Sequence, residues 1–271
     1  MDKIIGHEKV KNILKKVILE DKIGHAYLFL GKDGIGKKLM ATAFAEMIMT
    51  KNGTFNEADF KLIEPEKDVI KVEEIRNLIN EIYIKPTYSS KKVIIINDAD
   101  KMNSSAQNAL LKVLEEPPLY ATLILITSNK EKIIRTILSR VTEVKFDNLS
   151  VDELEKIVGN SIDLSYARGS ASKALSLMEN DCYAISQDLL NLFNKKKFID
   201  INKKISEIKS GDTDIVKILE LTKIMYHKDI KQDTYRKIKI INLIDETIRN
   251  LGRNANSDLA LDRLIIKVCK V

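Results

Sequence analysis

Cysteine and histidine are scarce in this chain of 271 residues, and their scarcity excludes several kinds of site. The two cysteines, Cys182 and Cys269, lie far apart without CxxC spacing, which excludes a four-cysteine zinc site. A disulfide between them is not expected in a reducing cytosol, so both are predicted to be free thiols. The three histidines, His7, His25 and His227, are scattered, and we predict no bound metal.

Long apolar runs are also missing. No stretch approaches the ~20 residues that a membrane-spanning helix needs. The N-terminal residues 1–10 lack the basic and apolar regions of a signal peptide. We therefore expect a cytoplasmic protein that makes no membrane contact. The net charge of +6 permits DNA contact without demonstrating it, because lysine runs such as 195–197 are more often solvated helix faces.

Strand-like and helix-like segments alternate through the first half of the chain. The short apolar runs are typical of buried parallel strands, and the segments between them have helical periodicity. This order predicts an α/β fold in which a parallel sheet is covered by helices on both faces. The predicted strands are residues 26–30, 93–96 and 123–127, and the predicted helices between them include residues 37–49 and 72–79.

A further helix is predicted between the second and third of these strands. Ser104 and Gln107 have the spacing of a capping box at its start. The helix is expected to run to Glu116, because Pro117 and Pro118 cannot continue it.

Beyond residue 148 the chain contains no proline and has helical periodicity almost throughout. Ser150 is predicted to cap one helix, and a second is predicted over residues 171–178. We therefore expect three domains: an α/β core over residues 1–147, a small helical lid over residues 148–182, and an all-helical domain over residues 183–271.

A glycine-rich loop between the first predicted strand and its helix has the composition of a phosphate-binding loop. Residues 31–38, GKDGIGKK, match the pattern G-x-x-x-x-G-K. Gly31, Gly34 and Gly36 would let backbone N–H groups close around phosphate oxygens, and Lys37 would reach the outer phosphates. The alternative is an ordinary glycine turn.

The most distinctive part of the sequence lies between residues 92 and 140. The string LLKVLEEPP, followed by a buried strand and by ILSR, resembles the clamp-loader branch of the AAA+ ATPases. The ADKM that follows the strand at residues 93–96 resembles the delta-prime subunits of bacterial DNA polymerase III. The resemblance implies an AAA+ core, a helical lid and a helical collar through which subunits assemble.

Measured against active members of this family, the chain lacks the groups that handle magnesium. Lys38 stands where the loop normally has a Ser or Thr that ligates Mg²⁺. The resemblance places Asn97 on the metal-supporting Asp and Asp98 on the catalytic Glu. Mg²⁺ is worth several kcal/mol in phosphoryl transfer, and a positioned base contributes roughly 10²–10⁴-fold. We therefore expect no useful hydrolysis, and any binding of ATP or ADP is expected to be weak.

The resemblance also assigns three residues outside the loop. Ser128 is the best match to the polar sensor-1 residue, although polar residues that simply end a strand are an equal alternative. Lys173 stands near the sensor-2 position, where an Arg usually contacts nucleotide. Ser139 and Arg140 match the clamp-loader SRC motif, in which the arginine reaches the nucleotide of the adjacent subunit. The alternative interpretation is that Arg140 is a surface arginine in a salt bridge.

Together these features predict a delta-prime-type subunit that is not an enzyme on its own. Its expected partners are the tau/gamma and delta subunits, with the sliding clamp and primer-template DNA reached through the assembled loader. The resemblance also implies a bacterial cytoplasmic protein that is associated with the nucleoid, and no cofactor is required in this interpretation. Delta-prime subunits commonly carry a four-cysteine zinc module after the first helix, but residues 50–64 contain no cysteine, so zinc is not expected. The alternatives are an active tau/gamma-type ATPase and a helicase-like nucleotide switch.

Overall fold

A computed structural model describes residues 1–51, 53–159, 164–178, 181–211, 214–228, 233–252 and 256–271. The chain divides into two compact units. The first contains residues 1–157 and 168–172, and the second contains residues 158–167 and 173–271. The three-domain division given above stays a prediction.

The first unit is built on a sheet of five strands that are parallel throughout. The strands are β1 (Ala26–Leu30), β2 (Phe60–Ile63), β3 (Lys92–Ile96), β4 (Ala121–Thr127) and β5 (Thr142–Lys145). Their order across the sheet is β2-β3-β4-β1-β5. The predicted α/β class is confirmed, and the three predicted strands correspond to β1, β3 and β4.

Helices precede, connect and follow these strands. They are α1 (Glu8–Leu19), α2 (Lys37–Thr50), α3 (Val72–Ile82), α4 (Ser104–Glu115), α5 (Arg135–Leu138), α6 (Val151–Val158) and α7 (Ala171–Met178). Ser150 caps α6 as predicted, because its Oγ accepts the N–H of Glu153 at 3.2 Å and its own N–H donates to the Glu153 carboxylate at 2.8 Å.

Alternate residues of the central strands pack into two separate cores, one on each face of the sheet. Ile95 of β3 belongs to the core that includes Phe44 of α2, and Ile94 belongs to the core that includes Leu110 of α4. All four side chains are buried. Burying an aliphatic or aromatic side chain of this size contributes about 1.5–3 kcal/mol before entropy is considered. The two cores together hold the carboxyl ends of the strands in a fixed arrangement.

The start of α4 differs from the prediction. The cap is Asn103, whose side chain accepts the N–H of Ala106 at 2.8 Å. Ser104 is the first helical residue, and Gln107 does not reach back to it. The Gln107 amide instead donates to the carbonyl oxygens of Met102 and Lys132, so the capping-box interpretation is wrong.

The second unit contains helices and no strand among the residues described beyond Lys145. Its five long helices are α8 (Cys182–Lys195), α9 (Phe198–Ser210), α10 (Ile215–Lys228), α11 (Thr234–Leu251) and α12 (Ser257–Lys270). Phe193, Ile218, Ile240 and Leu264, each from a different helix, meet in its core. In the described part of the chain, no helix has both the length and the hydropathy required to span a membrane.

Candidate functional site

Polar residues gather where the parallel strands end at their carboxyl edge, which is where ligands bind in open α/β sheets. The glycine-rich loop follows β1 and leads into α2. Glu64 follows β2, Asn97 and Asp98 follow β3, and Ser128 follows β4. The structure thus brings the predicted loop, Asn97, Asp98 and Ser128 to the same edge of the sheet.

The glycines of the loop are required by its backbone and by its neighbours. Gly34 has φ +74° and Gly36, the residue before α2, has φ +101°. A Cβ on Gly34 would lie 2.6 Å from the Cβ of Ser172, whose N–H donates to the Gly34 carbonyl at 2.9 Å. A Cβ on Gly31 would lie 2.8 Å from the carbonyl oxygen of Phe146. The loop is therefore packed against the start of α7 and the end of β5.

Lys37 is buried, and its ammonium is held by the loop itself. Its Nζ donates to the carbonyl oxygens of Gly31 at 2.6 Å and Lys32 at 2.7 Å. Burial lowers the pKa of Lys37 below its ordinary value, although the carboxylates of Asp33, Asp98 and Asp100 act in the opposite direction.

Lys38 is bound by a carboxylate that sequence analysis did not identify. Its Nζ lies 3.0 Å from Oε1 and 2.9 Å from Oε2 of Glu64. Asn97 Nδ2 donates to the same Oε1 at 3.2 Å. We refer to Lys38, Glu64 and Asn97 as the ammonium cluster. The beginning of α2 and the ends of β2 and β3 position its three members.

Mg²⁺, the ion that phosphate loops of this pattern normally use, does not fit this set of donors. Mg²⁺ requires oxygen ligands in near-octahedral geometry. Lys38 offers an ammonium in place of a hydroxyl, and the Asn97 amide group donates its N–H to Glu64. Among the described residues, no group of three or more His, Cys, Asp or Glu side chains is arranged to hold a metal ion.

A hydrogen bond joins the end of β4 to the acidic residues that follow β3. Thr127 is fully buried, and its Oγ1 donates to Oδ1 of Asp100 at 2.7 Å. Ser128 is exposed. Asp98 has φ +50° and lies 3.7 Å from Nζ of Lys101. Thr127 therefore joins the end of β4 to the acidic turn, the segment after β3 that contains Asp98 and Asp100. The sensor-1 assignment to Ser128 stays a prediction.

Lys173 lies in α7 and belongs to the second unit. Its assignment as a sensor-2 residue also stays a prediction, as do the roles assigned to the loop residues and to Arg140.

Arg140 lies at the opposite edge of the sheet from the glycine-rich loop. It precedes β5, whose Thr142 pairs with Tyr27 near the beginning of β1. Its Nη2 lies 3.0 Å from Oε1 of Glu115, and its Nη1 donates to the Thr136 carbonyl at 3.0 Å. The side chain is 35% exposed. It borders a shallow cavity of about 540 Å³, which His25 and Thr142 also line.

A buried carboxylate fixes residues 50–64, the segment in which the absence of cysteine predicts that zinc is absent. Asp59 accepts the backbone N–H groups of Thr87, Tyr88 and Ser89 at 2.8–2.9 Å. Burial alone would raise the pKa of Asp59, but these three donors lower it below its ordinary value. Ser89 Oγ also donates to the Thr54 carbonyl at 2.7 Å. The absence of zinc stays a prediction, which metal analysis of the purified chain would test.

Comparison with known proteins gives the family. A family model described as "DNA polymerase III, delta subunit" matches residues 6–150, more than half of the chain. The chain belongs to this DNA polymerase III family. The match includes the loop, the ammonium cluster and Arg140.

Relatives of this DNA polymerase III protein carry several subunit names. It is 32% identical over 232 residues to the gamma subunit of Buchnera aphidicola subsp. Schizaphis graminum, covering 74% of this chain and 64% of that one. It is 30% identical over 201 residues to the delta' subunit of Bacillus subtilis, covering 66% of this chain and 61% of that one. The chain thus matches less than two thirds of the length of these relatives.

A solved structure shares the fold. The gamma subunit-related protein of Thermotoga maritima superposes with a TM-score of 0.66 at 19% identity, over 97% of this chain and 99% of that one. The family model and the sequence relatives support the DNA polymerase III family without separating a delta-prime identity from a gamma or tau identity.

Proposed function

We propose that this protein is the delta-prime subunit of the DNA polymerase III clamp loader. In this role it does not hydrolyse ATP itself. It presents Arg140 to the nucleotide of an adjacent tau/gamma ATPase while the loader places the sliding clamp on primer-template DNA. The delta subunit would be a further partner, and the complex would act in the cytoplasm.

The position of Arg140 is the observation that carries this proposal. The glycine-rich loop follows the carboxyl end of β1, whereas Arg140 lies beyond the amino end of the same strand and of β5. The five residues of β1, at about 3.3 Å each, correspond to roughly 16 Å between these two edges. Arg140 therefore cannot act on a phosphate in its own loop, and a phosphate within its reach would have to belong to another molecule, which in this proposal is the nucleotide of the adjacent subunit.

The chemistry of the side chain suits that purpose. A guanidinium is planar and permanently charged, and its fork of donors matches phosphate oxygens. An arginine supplied by a neighbour contributes roughly 10³–10⁵-fold to nucleotide hydrolysis in other P-loop proteins. The present partner of Arg140, Glu115, is 51% exposed. Exposed ion pairs are worth about 0–1 kcal/mol, so a phosphate could replace this carboxylate at little cost.

The residues of the chain's own loop support the absence of hydrolysis. Lys37 is bonded to two carbonyl oxygens of the loop, and Lys38 is paired with Glu64. The acidic turn offers Asp98, which is one methylene shorter than the glutamate that polarises water in active relatives. An active tau/gamma-type ATPase is the alternative, and the similarity to a gamma subunit favours it.

Steady-state ATP turnover by the purified chain distinguishes the two functions. We expect no turnover above background, and the same result for Lys37→Ala. In a reconstituted loader, Lys37→Ala should leave clamp loading nearly unchanged. Turnover by the isolated chain that Lys37→Ala abolishes would overturn the proposed role and favour the alternative.

A further inference from the structure

The ammonium cluster lies where a phosphate loop normally holds its metal ion. Lys38 immediately follows the loop lysine, at the position from which a hydroxyl would reach the metal. Asn97 follows β3, the strand whose end normally supplies the supporting carboxylate. The structure adds Glu64 from the neighbouring strand β2, with both of its oxygens within 3.0 Å of Lys38 Nζ.

We infer that the Lys38 ammonium takes the place of the divalent cation, and that this loop binds nucleoside di- and triphosphates without metal. The inference concerns the chain's own nucleotide site and is independent of the role proposed for Arg140. It also differs from a simple loss of the site, because the glycines and Lys37 of the loop are retained.

Charge explains why the metal is excluded. Lys38 and a divalent cation would compete for the same Glu64 carboxylate, and the ammonium already contacts both oxygens. Asn97 is neutral and brings no second carboxylate to offset an additional double charge. Unlike charges attract strongly at such distances, and two cations near one carboxylate would repel each other.

Charge also explains why phosphate can still bind. Lys37 and Lys38 place two consecutive ammonium groups at the beginning of α2, where the helix N-terminus favours anions. The Lys38 side chain is 48% exposed, so its ammonium is accessible from solvent while it remains paired with Glu64. A β- or γ-phosphate oxygen can accept a hydrogen bond from it, which is the contact that the metal would otherwise make.

Nucleotide titration of the purified chain tests the inference. A fluorescent ADP or ATP analogue is titrated in excess Mg²⁺ and again in EDTA. For the wild-type chain we expect saturable binding with Kd values that agree within about threefold, a difference well below 1.4 kcal/mol. Absence of binding under both conditions would overturn the inference, and so would affinity that rises tenfold or more with Mg²⁺.

A double variant provides the reverse test. Lys38→Thr with Asn97→Asp restores the hydroxyl and the carboxylate, so nucleotide should bind about tenfold more tightly in Mg²⁺ than in EDTA. Lys22→Thr removes an exposed lysine outside the loop and should retain the metal independence of the wild type. Circular dichroism checks that each variant is folded. A double variant that is folded but shows no response to Mg²⁺ would contradict the assignment of Lys38.

Binding of Mn²⁺ gives a readout that does not depend on nucleotide fluorescence. Electron paramagnetic resonance of free Mn²⁺ in the presence of nucleotide should show no stoichiometric binding by the wild-type chain beyond that of the nucleotide alone. The double variant should bind one equivalent. One equivalent bound by the wild-type chain would show that the ammonium does not replace the metal.

Discussion

Arg140 is paired with Glu115 in the free chain, with 3.0 Å between Nη2 and Oε1. Glu115 is the last residue of α4, and Arg140 follows α5, so the pair joins the ends of two helices at one edge of the sheet. Both side chains are partly exposed, at 35% and 51%, which limits the strength of the ion pair. The pair can therefore orient the guanidinium and still allow it to exchange the Glu115 carboxylate for a phosphate.

Replacing Glu115 tests this view of the pair. Glu115→Gln should lower the free energy of unfolding by less than about 1 kcal/mol, because the ion pair is solvent-exposed. Urea denaturation measures this change, and Glu116→Gln, which alters the adjacent exposed acid, is the matched control. A loss of several kcal/mol would mean that Arg140 is a structural residue of its own domain.

Asp59 is expected to be important for stability. Asp59→Asn removes the charge and places an N–H donor where a carboxylate oxygen accepts backbone N–H groups. Because hydrogen bonds to charged groups contribute about 1.5–3 kcal/mol each, the variant should lose roughly 2–4 kcal/mol near neutral pH. Glu57→Gln changes an exposed acid in the same turn and should leave the unfolding curve unchanged.

The effect of Asp59 should also depend on pH. Its pKa in the folded chain lies below the ordinary value of 3.8, so the unfolded chain takes up a proton first as the pH falls. The stabilisation is therefore fully present above about pH 5 and is lost as the pH falls through the folded-state pKa. Denaturation of wild type and Asp59→Asn at several pH values should show their difference shrinking only in acid. A difference that grows as the pH falls would contradict the assigned shift.

The buried amide of Gln107 is the second stability determinant that the structure identifies. It donates to the carbonyl oxygens of Met102 and Lys132 and accepts the N–H of Ile134. Gln107→Leu leaves these backbone groups without a partner and should cost about 2–4 kcal/mol. Gln187→Leu, at an exposed position, should change the free energy of unfolding by less than about 0.5 kcal/mol. Equal effects of the two substitutions would show that the Gln107 contacts contribute nothing specific.

The sequence predicts the central strands well because their residues are buried on both faces. Continuous apolar runs such as Val93–Ile96 are typical of such strands. The edge strands β2 and β5 were missed. Each pairs with one neighbour only. Their sequences, FKLI and TEVK, contain polar residues, because an edge strand can expose part of its side chains to solvent. Their position in the sheet, and not their composition, makes them strands.

The same reason limits prediction of the site. Lys38 and Asn97 are recognisable as departures from a metal-binding pattern, but Glu64 is 26 residues from Lys38 and follows the missed strand β2. At the end of β4, the residue that contacts the turn after β3 is Thr127, which is adjacent in sequence to Ser128, the residue assigned from the resemblance. Successive side chains point to opposite faces of a strand, so the core packing of β4 turns Thr127 toward Asp100 and leaves Ser128 exposed.

The most direct test of the proposed function is ATP turnover in a loader reconstituted with Arg140→Ala. The variant should fold and assemble normally, because the side chain is partly exposed and its ion pair with Glu115 and its hydrogen bonds to Thr136 and Ser139 are also at the surface. Arg140→Lys should restore little activity, since an ammonium lacks the planar fork of the guanidinium. Arg135→Ala removes an exposed arginine of α5 and serves as the matched control.

The measurement is DNA- and clamp-stimulated hydrolysis by the adjacent ATPase subunits. We predict a clear loss of turnover for Arg140→Ala and Arg140→Lys, with wild-type turnover for Arg135→Ala. The loss should be smaller than the roughly 10³–10⁵-fold contribution of an arginine at its own site, because the other ATPase sites keep theirs. Wild-type turnover and normal clamp loading with Arg140→Ala would show that Arg140 is only a surface charge.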